Sequence, residues 1–311
     1  MRFAVIDLGT NTFNLLIAEG ASKDTFVKIF NTRISVKLGE STINSGYISE
    51  KAFERGIEAL KEFKKYFATY NVEHVHAFAT SAIRTASNGL EFVKKAKKET
   101  GILVTIIDGN EEADLIYHGT RMAVQMTKAT SLIVDIGGGS TEFILANEDE
   151  ILWKQSFLLG AARLLEKFKP SDPIELKEIY EFNAYLKQEL KPLIEAVKHY
   201  RPEELIGSSG AFDSVVDIIA GEFNTTPTHD DETEYQIDLT QYHYMSDKIK
   251  ASTIEERYNI KGLIPMRVDM MVISVLLIDF AIKELQINKM RVSTFALKEG
   301  VIRKKLGLDL S

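Results

Sequence analysis

Apolar and polar positions follow two spacings along the chain, one typical of helices and one typical of strands. In residues 49–70 the apolar positions lie on one helix face, and Ser49 is placed to cap that helix. These positions are Phe53, Ile57, Leu60, Phe63 and Phe67. Further helices are predicted within 89–101, 111–124, 175–199 and 270–285, and strands over 72–80, 102–108 and 204–210. Strands that alternate with helices predict an α/β protein with a mixed sheet.

One pattern occurs twice in the chain. FAVIDLGTNTFNLLIA near the N-terminus and LIVDIGGGSTEFILA in the middle align at an offset of 128 residues, which places Asp7 on Asp135 and Gly9 on Gly137. Each copy has a β-rich run, an acid, a glycine-bearing turn with hydroxyls and a second β-rich run, which predicts a hairpin. Two such hairpins indicate a duplicated fold in which both turns face a shared cleft.

The second copy contains three consecutive glycines, Gly137, Gly138 and Gly139. Such a run weakens a strand or a helix, so it suits a place where the backbone turns sharply or where something approaches it closely. A tight hairpin and a bound phosphate are both compatible with this stretch alone.

Composition and charge narrow the class of protein. The chain has 311 residues, of which 45% are hydrophobic and 27% charged, as in a globular protein with buried cores. Its length suggests about two domains of roughly 150 residues each. The net charge of −7 argues against nucleic-acid binding, so a polyanionic ligand would need a local positive field. Cysteine is absent, which excludes disulfides, thiolate metal ligands and a cysteine nucleophile.

Two apolar runs of the sequence are informative about the cellular location of the protein. The N-terminal run contains Asp7, so it predicts a strand rather than a signal peptide. The run 270–282 is interrupted by Asp279 and is too short to span a bilayer, so it predicts a buried helix. We therefore expect a cytoplasmic protein with no membrane partner.

Seven motifs resemble those of the exopolyphosphatase / guanosine pentaphosphate phosphohydrolase (Ppx/GppA) family in order and approximate spacing, over residues 1–306. They are DLGTNTFNLLIA, ATSAIRTASN, DGNEEADLIYHG, VDIGGGSTEF, FLLGAARL, RVDMM and LKEGVI. The resemblance implies two actin-like (ribonuclease H-like) α/β domains, of the superfamily of sugar kinases, heat-shock ATPases and actin, with the active site in the interdomain cleft. We expect domain I to comprise residues 1–120 plus about 295–311, and domain II residues 121–294.

Hydrolysis of a terminal phosphoanhydride needs a cradle for phosphate oxygens, a divalent cation and a base that activates water. The glycine turns offer backbone N–H groups and hydroxyls, which bind anions without a cationic side chain. A guanidinium matches phosphate with two hydrogen bonds, and the resemblance makes Arg84 a phosphate clamp. The residues expected to bind phosphate are Gly9, Thr10, Asn11, Thr12, Arg84, Gly137, Gly138, Gly139, Ser140, Thr141, Gly207, Ser208, Ser209 and Gly210.

The acids are the candidates for the base and for the cation ligands. Glu112 corresponds to the family's catalytic glutamate, although it and Glu111 would also complement the dipole of the helix that they open. Asp135 and Glu142 bracket the glycines, and the resemblance makes them ligands of Mg²⁺ or another divalent cation, with Asp7 in the matching place of the first hairpin. Magnesium is usually held by one or two carboxylates, with waters and substrate phosphates completing its shell.

Several functions are compatible with these residues. The favoured one is an exopolyphosphatase that releases orthophosphate from inorganic polyphosphate. The alternatives are removal of the 5′-terminal phosphate of guanosine pentaphosphate and a non-catalytic sensor of a phosphorylated ligand, guanosine tetraphosphate included. A kinase is disfavoured by the exopolyphosphatase-type motifs, and no P-loop motif occurs. The surface that binds a long polyphosphate chain would be shorter than in longer family members, or it would be shared with a second subunit of a homodimer.

Overall fold

The structure is a computed structural model that describes residues 1–20, 26–224 and 232–305. The end of the range assigned to domain I, residues 306–311, lies outside this part of the chain. Among the described residues, no helix has the length and the apolar character needed to cross a bilayer.

The first sheet has five strands in the order β3-β2-β1-β4-β5. They are β1 (Arg2–Leu8), β2 (Thr12–Gly20), β3 (Phe26–Ser35), β4 (His74–Ala79) and β5 (Val104–Ile106). The first three strands pair antiparallel, and β4 and β5 continue the sheet in parallel with β1. The sheet is therefore mixed, as the alternation of strands and helices predicted.

The second sheet repeats this plan with one added strand. Its order is β10-β11-β9-β6-β7-β8. The strands are β6 (Ser131–Ile136), β7 (Thr141–Ala146), β8 (Ile151–Phe157), β9 (Glu204–Ser208), β10 (Glu234–Ile237) and β11 (Met290–Ser293). Strands β6, β7 and β8 pair antiparallel, while β9 is parallel to β6 and β11 is parallel to β9. The predicted hairpins are thus β1–β2 and β6–β7, each at the centre of its own sheet.

Helices cover both sheets. They are α1 (Glu50–Thr69), α2 (Ser81–Thr85), α3 (Gly89–Thr100), α4 (Gly109–Ala123), α5 (Ala161–Phe168), α6 (Leu176–Glu189), α7 (Lys191–Tyr200), α8 (Ser209–Phe223), α9 (Leu239–Ala251), α10 (Ile254–Arg257), α11 (Val268–Glu284) and α12 (Leu297–Lys305), with a 3₁₀ turn at Pro265–Arg267. Ser49 caps α1 by accepting a hydrogen bond from Ala52 N.

Two segments differ from their predictions. The segment 175–199 forms two helices rather than one, and the break precedes Pro192, whose ring and missing N–H suit a first helical turn and not a helix interior. The strand predicted over 204–210 ends at Ser208, and helix α8 starts at Ser209 with a positive φ of 67°. The GSSG stretch is therefore a strand-to-helix junction.

A buried apolar cluster joins the two sheets. It combines inward-facing side chains of the first sheet, such as Val5 and Leu16, with Ile133 and Ile206 of the second. Helices α4 and α12 lie in the same cluster, which includes Leu115 and Ile116 of α4 and Leu297, Val301 and Ile302 of α12. These two helices therefore lie between the sheets. The division into domains at residues 120 and 294 stays a prediction.

Helices α4 and α12 contact each other backbone to backbone at two glycines. A Cβ atom on Gly300 would lie 1.8 Å from Leu115 O, and a Cβ atom on Gly119 would lie 1.9 Å from Ala296 O. No side chain fits at either position, because the facing atoms are main-chain carbonyls that cannot rotate away. Glycine is thus required by close approach at this crossing.

We expect Gly300→Ala to lower the free energy of unfolding by about 3 kcal/mol, at the upper end of the range for overpacking, because the backbone of α4 must shift. Urea unfolding followed by circular dichroism measures this change. Lys304→Ala alters an exposed position of the same helix and serves as the control, with an expected change within about 0.5 kcal/mol. Equal stability of the two variants would contradict the crossing geometry.

Candidate active site

A cleft of about 670 Å³ lies between the two sheets, and both glycine turns line it. The turns touch each other. A Cβ atom on Gly138 would lie 3.0 Å from Asn11 Cγ, and a Cβ atom on Gly139 would lie 2.5 Å from Thr10 Oγ1. The structure therefore brings the two hairpin turns together, as the internal repeat predicted.

The second turn is held from outside the cleft through its carbonyl oxygens. Ala161 N donates a hydrogen bond to Gly137 O at 2.9 Å, and Arg163 Nε donates one to Gly139 O at 3.0 Å. Within the described residues, the N–H groups of Gly138 and Gly139 have no protein acceptor. Both amide groups are therefore available to an anion.

The segment 36–44 connects the first turn to the second sheet's helices. Leu38 N donates to Thr10 O at 2.7 Å, and Arg163 Nη1 donates to Ile43 O at 2.9 Å. Lys37 Nζ lies 3.4 Å from Asp269 Oδ2 of α11. One short segment thus contacts a cleft turn, α5 and α11.

Asp135 and Glu142 lie side by side because they are register partners on β6 and β7. Both are buried, with exposed fractions of 6% and 1%. Ser208 Oγ and Ser209 Oγ donate to Asp135 Oδ2 at 2.8 and 2.5 Å, and Ser156 Oγ donates to Glu142 Oε1 at 2.7 Å. Glu142 is therefore not an exposed strand residue.

Burial makes both carboxyl groups of this pair unusually hard to ionise. It raises the pKa of Glu142 to about 7, with a further contribution from the charge of Asp135, while the Ser156 hydrogen bond opposes the shift. It also raises the pKa of Asp135, against the hydrogen bonds from Ser209 and Ser208. Without a cation nearby, the ionised pair is destabilised.

Glu112 reaches the cleft from the first turn of α4. Asp108 caps that helix by accepting hydrogen bonds from Asn110 N and Glu111 N, both at 2.8 Å. Arg84 Nη1 donates to Glu112 Oε2 at 2.7 Å and to Ile107 O at 3.0 Å. Burial first, and then the charge of Glu142, raises the pKa of Glu112 well above its usual value, and Arg84 opposes this shift. A buried carboxylate with a raised pKa is suited to take a proton at neutral pH.

The first hairpin carries a different pair. Asp7 is the register partner of Asn14, whose Nδ2 donates to Asp7 Oδ2 at 3.1 Å. Burial raises the pKa of Asp7 to about 6, and the charge of Lys298 opposes the shift. Asn14 thus occupies in the first hairpin the place that Glu142 occupies in the second, so the two hairpins differ in charge.

Not every predicted residue reaches the cleft. The hydroxyl of Thr141 donates to Leu159 O at 2.9 Å inside the second sheet's core, and Gly207 packs against the ring of Phe212. Ser208 lies behind Asp135, and Arg84 contacts Glu112 instead of lining the cleft wall. The other predicted residues line the cleft, namely Asp7, Gly9, Thr10, Asn11, Thr12, Glu112, Asp135, Gly137, Gly138, Gly139, Ser140, Glu142, Ser209 and Gly210.

The cleft also contains residues that sequence reasoning missed. Those with polar side chains include Asn14, Lys28, Arg33, Ser81, Asp213, Arg267 and Lys298. Asn14 could have been found by extending the 128-residue offset to Glu142. Ser81, Arg267 and Lys298 belong to motifs already recognised, ATSAIR, RVDMM and LKEGVI. Lys28 and Arg33 carried no local signal, because only the fold of β3 brings them to the cleft.

The donor set fits a hard divalent cation of the Mg²⁺ type. Asp135 and Glu142 offer adjacent carboxylate oxygens, and burial is the main cause of the raised pKa of each. In the described ranges, no three or more His, Cys, Asp or Glu side chains are grouped closely enough to hold a metal ion. The protein would therefore contribute one or two ligands, and Asp7 does not complete a three-carboxylate group.

Comparisons with known proteins identify the family of this chain. The model of the Ppx/GppA phosphatase family matches residues 16–308. The chain is 27% identical over 307 residues to Exopolyphosphatase 1 of Mycobacterium tuberculosis, covering 98% of this chain and 88% of that protein. It superposes on the crystal structure of an exopolyphosphatase from Cytophaga hutchinsonii with a TM-score of 0.96 and 39% identity, over 99% of this chain and 98% of the other. For the Aquifex aeolicus PPX-GPPA enzyme the TM-score is 0.80 at 26% identity, over 98% and 99% of the two chains.

The family match and the exopolyphosphatase relatives identify the chain as a phosphoanhydride hydrolase, and its architecture is actin-like α/β. The chain belongs to the Ppx/GppA phosphatase family. The fold class and the family predicted from the motifs are confirmed.

The raised pKa of Glu142 predicts a pH-dependent stability. The usual value of 4.5 becomes about 7 in the folded protein, so the folded state holds a proton that the unfolded chain releases. The corresponding stability is fully present below about pH 4.5 and is lost as the pH rises through about 7.

Glu142→Gln carries no charge at any pH, so at about pH 8 we expect it to be more stable than the unaltered protein. The difference should shrink as the pH falls toward 4.5, the usual value for this carboxyl group. Urea unfolding in chelator-treated buffer measures the free energy of unfolding of the two proteins at each pH. Glu150→Gln removes an exposed carboxylate and controls for net charge. A pH-independent difference for Glu142→Gln would contradict the assigned burial.

Proposed function

We propose that the chain releases orthophosphate from the end of inorganic polyphosphate. The observation that supports this most is the position of Glu112, a buried carboxylate that opens onto the cleft between the two glycine turns. Relatives named as exopolyphosphatases cover nearly the whole chain, which supports polyphosphate as the substrate class.

In this mechanism the glycine turns hold the terminal phosphate through backbone N–H groups, and Glu112 holds a water in line with the phosphorus. Glu112 accepts the proton of that water as the water oxygen bonds to the terminal phosphorus, because its raised pKa makes it a stronger base than an exposed glutamate. The bond from this phosphorus to the bridging oxygen breaks, and the shortened polyphosphate leaves with the electron pair on that oxygen. Arg84 restrains the Glu112 carboxylate through one 2.7 Å hydrogen bond and opposes the rise in its pKa. Its part is therefore to orient the base, rather than to clamp the phosphate as the sequence predicted.

Asp135 and Glu142 are the residues that would hold a Mg²⁺ ion in this proposal. When bound, the ion would supply positive charge against the phosphate oxygens. Serine hydroxyls donate hydrogen bonds to the carboxylates of Asp135 and Glu142 and hold them in place. Little rearrangement of these side chains is therefore needed when the ion binds.

The remainder of the polyphosphate chain needs cations along its path. Four cationic side chains line the same cleft. Lys28 and Arg33 come from β3, Arg267 from the 3₁₀ turn and Lys298 from α12. They supply the local positive field that a protein with a net charge of −7 requires for a polyanion. Guanosine pentaphosphate as a substrate, a homodimer and a cytoplasmic location stay predictions.

We expect Glu112→Gln to reduce phosphate release from long-chain polyphosphate about 100-fold or more, since the amide cannot accept the proton of water. Phosphate release is measured with saturating Mg²⁺, in parallel with guanosine pentaphosphate as substrate. Glu111→Gln is the matched control on the neighbouring residue, which does not line the cleft, and should retain activity. Equal activity of the two variants would contradict the role of Glu112 as the base. If phosphate is released from guanosine pentaphosphate and not from polyphosphate, guanosine pentaphosphate is the substrate.

The cation proposal predicts that chelation abolishes phosphate release and that Mg²⁺ restores it. Asp135→Asn should raise the Mg²⁺ concentration for half-maximal activity about 10-fold or more, because it removes one of two charged ligands. Asp149→Asn at an exposed position is the control. Full activity after exhaustive chelation would contradict the proposed role of both carboxylates.

A further inference from the structure

Ser81 has a buried hydroxyl that the mechanism above does not use. The residue is 2% exposed, and among the described residues its Oγ has no hydrogen-bond partner. It also lines the cleft. A buried hydroxyl without a partner has lost its hydrogen bonds to water and has no protein hydrogen bond to replace them. It therefore destabilises the free protein.

The hydroxyl lies beside the glycine turn of the second sheet. A Cβ atom on Gly139 would lie 2.7 Å from Ser81 Oγ and 2.5 Å from Thr10 Oγ1. Two hydroxyls from the first half of the chain therefore reach the same glycine of the second half. The Gly139 amide also has no acceptor among the residues that the structure describes.

The backbone around Ser81 is fixed independently of its hydroxyl. Thr85 Oγ1 donates to Ser81 O at 2.9 Å, and Arg84 N donates to Thr80 O at 2.9 Å. Removing the Ser81 hydroxyl breaks no hydrogen bond within the described protein. Its donor is thus available to a group in the cleft, and a hydroxyl next to free amides is suited to a phosphate oxygen.

We propose that Ser81 Oγ donates a hydrogen bond to a non-bridging oxygen of the phosphate group held between the two glycine turns. This inference rests on the proposed function for the identity of the phosphate compound. It adds a substrate-binding side chain from ATSAIR, the motif in which only Arg84 was expected to act.

Ser81→Ala should raise the KM for polyphosphate about 10- to 100-fold, the effect of removing one hydrogen bond to a charged group, with kcat nearly unchanged. The inhibition constant of inorganic phosphate should rise by a similar factor. The thermal unfolding temperature of the free protein should stay the same or increase, because no internal bond is lost and an unpartnered hydroxyl is removed.

Thr120→Val is a matched control. Thr120 Oγ1 is also buried without a partner among the described residues, but it lies on α4 away from the cleft lining. This variant should leave the KM and the phosphate inhibition constant unchanged. A KM for Ser81→Ala within about twofold of the unaltered protein, or an equal rise for both variants, would overturn the inference.

Direct titration of inorganic phosphate by calorimetry separates this inference from the proposed function. If no polyphosphate is hydrolysed but phosphate binding still depends on Ser81, the function is wrong and the binding role stands. If hydrolysis proceeds and phosphate binding ignores Ser81, the binding role is wrong and the function stands. Should Ser81→Ala unfold, Ser81→Cys, which carries a weaker donor, replaces it: weakened phosphate binding supports the role, and unchanged binding overturns it.

Discussion

The backbone contact between helices α4 and α12 fixes the relation between the two sheets. At Gly119 and Gly300 the helices approach more closely than any side chain allows, and the apolar cluster around them includes residues of both sheets. The N-terminal turn of α4 carries Glu112, and the first turn of α12 carries Lys298. The helix pair that holds the sheets together therefore also brings a carboxylate and a cationic side chain to the cleft. The geometry of the cleft and the packing of the two sheets in this way depend on the same contact.

The cleft built on this frame concentrates negative charge. Asp7, Glu112, Asp135 and Glu142 all have raised pKa values, and the largest cause is burial in each. Such a site is poorly suited to a polyanion unless cations accompany it. The backbone amides, the lysine and arginine side chains and a divalent ion would together compensate for this charge. The charge of the cleft is thus consistent with the proposed binding of a phosphate through N–H groups and hydroxyls, since these groups carry no negative charge.

The local parts of the fold and of the site could be predicted from the sequence, and the contacts between distant segments could not. The hairpins and their shared cleft were predicted from the internal repeat, which is visible in two short stretches of sequence. Ser49 was predicted as a cap because it directly precedes the apolar pattern of a helix. The side chain of Thr141 points to the core instead of the cleft, and the ring of Phe212 fills the space beside Gly207. Both facts depend on tertiary packing and could not be predicted from the sequence. The importance of Gly119 depends on Ala296, 177 residues later. Arg84 was predicted to bind phosphate, whereas its contact in the structure is with Glu112.

The segment 36–44 and the helix crossing connect the two halves of the molecule with unequal strength. The segment uses polar contacts such as Lys37 with Asp269, whose side chains are 44% and 39% exposed, and pairs of this kind contribute at most about 1 kcal/mol each. The crossing uses buried apolar surface and close-packed backbone. A hinge motion would therefore release the segment first and rotate the sheets about α4 and α12. Thr10 would move with one sheet and Gly139 with the other, so opening of the cleft would separate the two glycine turns from each other.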